Sequence, residues 1–127
     1  MDFQTKRLPP DADIVAPDGS DVRVLLATSR GGMAHFELAP GHASLAIRHR
    51  SVDEIWFVLF GGGHMWRSLN GRDEIVALEP GVCVTIPVGT HFQFRATADA
   101  SLSAVGVTMP PWPGSHEAIP VPGKWSA

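Results

Sequence analysis

Apolar and polar residues alternate along this chain in short runs, and glycine, proline or asparagine interrupts almost every one of them. Read between those breaks, the pattern predicts strands near 22–28 (VRVLLAT), 33–39 (MAHFELA), 43–49 (ASLAIRH), 54–60 (EIWFVLF) and 63–69 (GHMWRSL). Further strands are predicted near 72–78 (RDEIVAL), 82–86 (VCVTI), 91–95 (HFQFR) and 101–108 (SLSAVGVT). No segment sustains an i, i+3, i+4 apolar pattern, so helix is nearly excluded. Short strands at even spacing predict an all-β sandwich or barrel. Asn70-Gly71, between two strand candidates, is a strong hairpin signal. The Pro-Gly pairs in APGH (39–42) and EPGV (79–82) suit turns whose third position needs positive φ.

Composition narrows the class. A chain of 127 residues is long enough for one domain with a real core and too short for two ordinary ones. We expect a core barrel over about 22–109, an N-terminal arm over 1–21 and a proline-rich tail over 110–127. The tail has too many prolines for a central strand and should run extended over the barrel surface, pinned by Trp112 and Trp125. With 44% hydrophobic and 18% charged residues the chain reads as folded and soluble. A net charge of −3, with ten scattered Lys and Arg, excludes a phosphate-neutralising face and so a nucleic-acid partner. No apolar run is long enough to span a bilayer and no secretory signal pattern opens the chain, which implies a cytoplasmic protein without a membrane partner. The single cysteine, Cys83, is expected to be a small buried core residue.

Chemistry concentrates in IRHRSVDEIWFVLFGGG, residues 47–63. Strand alternation puts Leu45, Ile47 and His49 on one face and Ser44, Ala46, Arg48 and Arg50 on the other, so His49 is expected to point inward. The strand opening at Glu54 is apolar on both faces, which suits core on one side and a second sheet or subunit on the other. If a short RSVD turn joins the two strands, His49 and Glu54 face each other at one barrel mouth. One reading of the pair is a buried interaction that merely fixes the turn. Against it, an inward carboxylate is costly unless satisfied, which points instead to a pocket where acid and imidazole exchange protons with a guest. Trp56, Trp66, Phe92 and Phe94 are the candidate apolar walls, although each aromatic taken singly also suits a core. His35 and His64 are secondary candidates, and Gly61, Gly62 and Gly63 read as a strand bend.

Two glycine-framed segments resemble the motifs of the cupins. The first family motif is G, five residues, H-x-H, three or four residues, E, six residues, G. Here Gly41 is followed by five residues, Ile47-Arg48-His49, four residues, Glu54, six residues and Gly61. The second is G, five residues, P-x-G, two residues, H, and here Gly81 is followed by five residues, Pro87-Val88-Gly89 and Thr90-His91-Phe92. The resemblance implies a cupin double-stranded β-helix, or jelly-roll barrel, with a small-molecule ligand. It also implies a divalent metal (Zn, Fe, Mn or Ni) on His49, Glu54 and His91. Two departures bear on that site: Ile47 replaces the first histidine, and the strict ligand position falls on Phe92, one residue past His91. A one-residue slip reverses which side chain faces inward, so His91 and Phe92 are alternatives. The implied activities are proton transfer of isomerase, lyase or cyclase type with His49 and Glu54 as catalytic residues, non-catalytic binding of a small molecule, or metal-dependent dioxygenation. A homodimer is expected from the two apolar faces of the strand that carries Ile55, Phe57 and Leu59.

Overall fold

The computed structural model describes residues 2–127. The strands are β1 (Ile14–Val15), β2 (Asp21–Ala27), β3 (Gly32–Leu38), β4 (Ile47–His49), β5 (Asp53–Phe60), β6 (Gly63–Leu69), β7 (Arg72–Leu78), β8 (Cys83–Ile86), β9 (His91–Ala96), β10 (Leu102–Met109) and β11 (Ala118–Pro120). A single 3₁₀ turn, Ser115–Glu117, precedes β11. One sheet runs β1-β2-β3-β10-β5-β8 and the other β11-β4-β9-β6-β7, every pairing antiparallel. The fold is the expected all-β jelly roll, and the predicted strands 63–69 and 72–78 appear with those bounds.

Side-chain alternation makes the core. On β5, Glu54, Trp56 and Val58 point inward at 4%, 2% and 0% exposure, while Ile55, Phe57 and Leu59 point outward at 41%, 46% and 46%. The inward sets of the two sheets meet in one cluster that includes Trp56, Phe94, Met65, Leu78, Ile86 and Leu102. Complete burial of a large apolar side chain contributes about 1.5–3 kcal/mol, so this cluster dominates the favourable side of folding. The β6–β7 hairpin turns at Asn70 and Gly71 (φ 52° and 79°), which suits the type I′ geometry that asparagine and glycine tolerate. Gly63 allows β6 to approach β9 closely, because a Cβ there would lie 1.9 Å from the Arg95 carbonyl oxygen.

Three expectations need correction. The predicted strand 43–49 is regular only from Ile47, with an isolated bridge at Ala43. Ser44 is fully buried instead of outward, because its hydroxyl accepts from the Phe94 N–H and its carbonyl accepts from the Gln93 side chain, while Leu45 turns out to solvent. Cys83 is exposed, since it opens β8 at the sheet edge on the outer face. The tail does more than lie on the surface. Its Ala118–Pro120 segment pairs with β4 as the edge strand of its sheet, where Pro120 costs no internal ladder hydrogen bond.

Candidate functional site

Between the sheets lies a cavity of about 360 Å³. Its polar lining is Asp18, His49, Glu54 and Thr108, and its apolar walls include Phe36, Ile47, Trp56, Phe92 and Trp112. β4 contributes His49 and β5 contributes Glu54, and these strands belong to different sheets. The short connection 50–52 therefore crosses from sheet to sheet, which brings the two side chains face to face. His49 Nε2 lies 3.5 Å from Glu54 Oε1, with both side chains nearly inaccessible.

Burial sets the protonation of the pair. It pushes the Glu54 carboxyl up to about 8, an effect opposed by the nearby Trp56 indole and reinforced by the charge of Asp18. It pulls the His49 imidazole down to about 4, opposed by the charge of Glu117. At neutral pH the pair is thus an uncharged acid beside an uncharged base, not an ion pair. His49 is also wedged edge-on between two rings, Phe92 at 5.1 Å and Trp112 at 5.3 Å between centroids. Its Nδ1 and the Trp56 Nε1 are buried without a hydrogen bond of ordinary geometry. Native interiors seldom leave such groups unpaired, and here both belong to side chains that line the cavity.

Gly106, on β10, is what lets this geometry exist. A Cβ there would lie 2.6 Å from Glu54 Oε2, 2.8 Å from the Phe36 ring and 3.0 Å from the Trp56 ring. Phe36 and Trp56 stack over the same spot at 5.2 Å.

A family model described as a cupin domain matches residues 34–108, well over half of the chain. The chain belongs to the cupin family. Solved structures agree at the level of fold. BH2720 from Bacillus halodurans superposes with a TM-score of 0.67 at 18% identity, covering 73% of this chain and 72% of that one. KdgF from Halomonas sp. gives 0.66 at 17% identity, covering 87% and 97%. Oxalate decarboxylase from Bacillus subtilis gives 0.73 at 14% identity over 80% of this chain, which spans only 28% of that protein. No curated protein matches the sequence.

Within this cupin barrel the expected metal ligands do not converge. Phe92 lines the cavity, whereas His91, one position earlier on β9, faces away from it and does not. Ile47 occupies the other altered position and lines the cavity as a hydrocarbon. Among the described residues no group of three or more His, Cys, Asp or Glu is arranged to hold an ion. His49 and Glu54 alone are too few for a tightly held divalent metal, so the donor set does not fit one.

The remaining candidates divide by strand face. Trp56 and Phe92 line the cavity, but Phe94 and Trp66 do not. Phe94 lies in the core behind it, edge-on to Trp56 at 4.8 Å. Trp66 is on the opposite face of β6 from Met65, its indole N–H donating to Asp73 at 3.3 Å. His35 and His64 also lie off the cavity lining. Sequence reasoning missed Asp18, Gly106, Thr108 and the lining role of Trp112. Asp18 sits in APDGS, which reads as an ordinary surface turn, and nothing local marks it as buried.

Proposed function

We propose that this cupin binds a small organic molecule in the cavity and moves a proton on it, a step shared by isomerases, lyases and cyclases. The observation that carries the reading is the pair itself: a carboxyl held up to about 8 lies 3.5 Å from an imidazole held down to about 4, in one enclosed hollow. Glu54 carries the proton that a substrate oxygen takes up. His49 offers a neutral lone pair to the proton leaving the adjacent carbon, and the cycle closes when the enol hydroxyl gives its proton back to Glu54 and a carbon of the guest, on its other face or one position along, takes the proton held by His49. Apolar walls exclude water and keep the acid protonated. The family resemblance supports a small-molecule guest but not the reaction type, because cupins host many chemistries. The reading routes no step through Zn, Fe, Mn or Ni.

The test is incubation with pooled small carbonyl compounds in deuterated water, followed by mass spectrometry. Wild-type protein should incorporate deuterium or yield a new product, and His49→Ala and Glu54→Gln should each lose about 10²-fold or more in rate. Unchanged turnover in both folded variants rejects the assignment. A guest recovered unaltered and unlabelled after long incubation assigns the cavity to binding alone.

A further inference from the structure

The cavity has a charge pattern that the proton-transfer reading does not use. Asp18 is 6% exposed and lines the same hollow as Glu54. It is held in place by the turn that follows β1. Ser20 donates both its backbone N–H (2.9 Å) and its hydroxyl (2.6 Å) to Asp18 Oδ1, and the Asp18 carbonyl accepts from the Leu45 N–H at 2.8 Å. Among the described residues no hydrogen bond is made to Oδ2. Among the described residues no lysine or arginine lines the cavity. Two carboxyl groups therefore share an apolar space with no lysine or arginine among the described residues to balance them, and burial raises both.

Three kinds of guest can be compared. A carboxylate or phosphate would enter a largely apolar cavity beside two acids, with no lysine or arginine among the described residues to offset its desolvation. A cation would suit the acids only after Glu54 gave up the proton that burial makes it hold, and it would bring no acceptor for the Trp56 N–H. An uncharged molecule with a carbonyl or hydroxyl oxygen can accept from the Trp56 N–H and leaves Glu54 its proton. We propose that Asp18 and Glu54 together make the cavity selective for an uncharged, mostly apolar small molecule that presents a carbonyl or hydroxyl oxygen, and closed to carboxylate and phosphate anions. This rests on the reading of the cavity as a substrate site, and it names the substrate class.

The test uses three probes that share the phenylethyl body and differ in head group: 4-phenylbutan-2-one, 3-phenylpropanoate and 4-phenylbutan-2-amine. Binding to the full chain at pH 7 is followed by the NMR signal of the Trp56 indole N–H, assigned with Trp56→Phe. The ketone should bind at least about tenfold more tightly than the carboxylate, and more tightly than the amine. Asp18→Asn, which keeps an oxygen for Ser20 to bond, should narrow the ketone-over-carboxylate preference. Equal or tighter binding of the carboxylate, tightest binding of the amine, an unchanged preference in Asp18→Asn, or no binding of any probe at millimolar concentration each overturns the proposal. Because binding is read without turnover, loss of deuterium exchange alone would reject the catalytic reading and leave this selectivity standing.

Discussion

Glu54 keeps its proton at a pH where a carboxyl in water has lost it, and this should be visible in stability. Glu54 titrates near 4.5 ordinarily and near 8 in the fold, so between those values the folded chain holds a proton that the unfolded chain has released. Stability contributed by this group therefore falls as pH rises through that window. His49 works in the other direction between about 4 and 6.5, where the unfolded chain binds a proton that the folded chain does not. From 6.5 to about 8 the His49 contribution is already complete and that of Glu54 remains, while Asp18, also raised, has the same sign as Glu54 wherever it titrates. Urea unfolding should show wild-type protein losing up to roughly 2 kcal/mol over that interval, with Glu54→Gln removing most of the slope. A flat wild-type profile would contradict the buried neutral acid. Gly106→Ala probes the same group sterically, since the added methyl meets Glu54, Phe36 and Trp56 together. We expect a loss of about 1–3 kcal/mol in unfolding free energy and, with the carboxyl displaced, loss of any turnover the wild type has. His49 and Glu54 were legible as a pair because a strand mouth is an expensive place for ionisable groups. Asp18 and Gly106 were not, because what matters about them is their nearness to Glu54, 36 and 52 positions away.

The strands were readable because each carries its own alternation and its own stops. β4 and the tail were not, because neither is decided locally. Only three residues of β4 are regular, and they are held by β9 on one side and β11 on the other. The 3₁₀ turn before β11 supplies Glu117, a buried carboxylate that accepts from the Ser51 N–H at 2.5 Å, the Ser51 hydroxyl at 2.7 Å and the Val52 N–H at 2.8 Å. Burial alone would raise this carboxyl, but the bonds from Ser51 and Val52 outweigh it and hold it below the ordinary range. The crossover that aims His49 at Glu54 is thereby tied to the tail. Glu117→Ala leaves the buried Val52 N–H and the Ser51 donors without that acceptor, and we expect a loss of about 2–4 kcal/mol by denaturant unfolding. A change within about 0.5 kcal/mol would show that water replaces the carboxylate at no cost. Farther along, Gln93 accepts from the Lys124 and Trp125 N–H groups and donates to the Trp125 carbonyl, while Arg95 stacks over the Trp125 ring at 4.3 Å. Trp125 thus pins the tail as its sequence suggested, whereas Trp112 is drawn into the cavity wall against His49.

At the scale of the molecule, the outer face of β5 is left with Ile55, Phe57 and Leu59 each more than two-fifths exposed. Contiguous apolar surface of this kind is usually covered, and a second copy of the chain is the occupant we propose. Light scattering should give a dimeric mass, and Phe57→Asp should reduce it to a monomer with the fold retained. A monomeric wild type removes the idea. No helix among the described residues is long and apolar enough to cross a membrane. What the sequence by itself determined was most of the strands of the barrel, their turns, the family frame of glycines and prolines, and the inward direction of His49 and Glu54. All of these follow from period-two alternation and from backbone conformations that few residue types adopt. The tertiary structure alone decided that Phe92 and not His91 enters the cavity, that Asp18 joins Glu54 there, and that the tail closes over His49. Those outcomes depend on how two sheets and two terminal segments meet across the core, and packing between distant residues leaves no local periodicity to read.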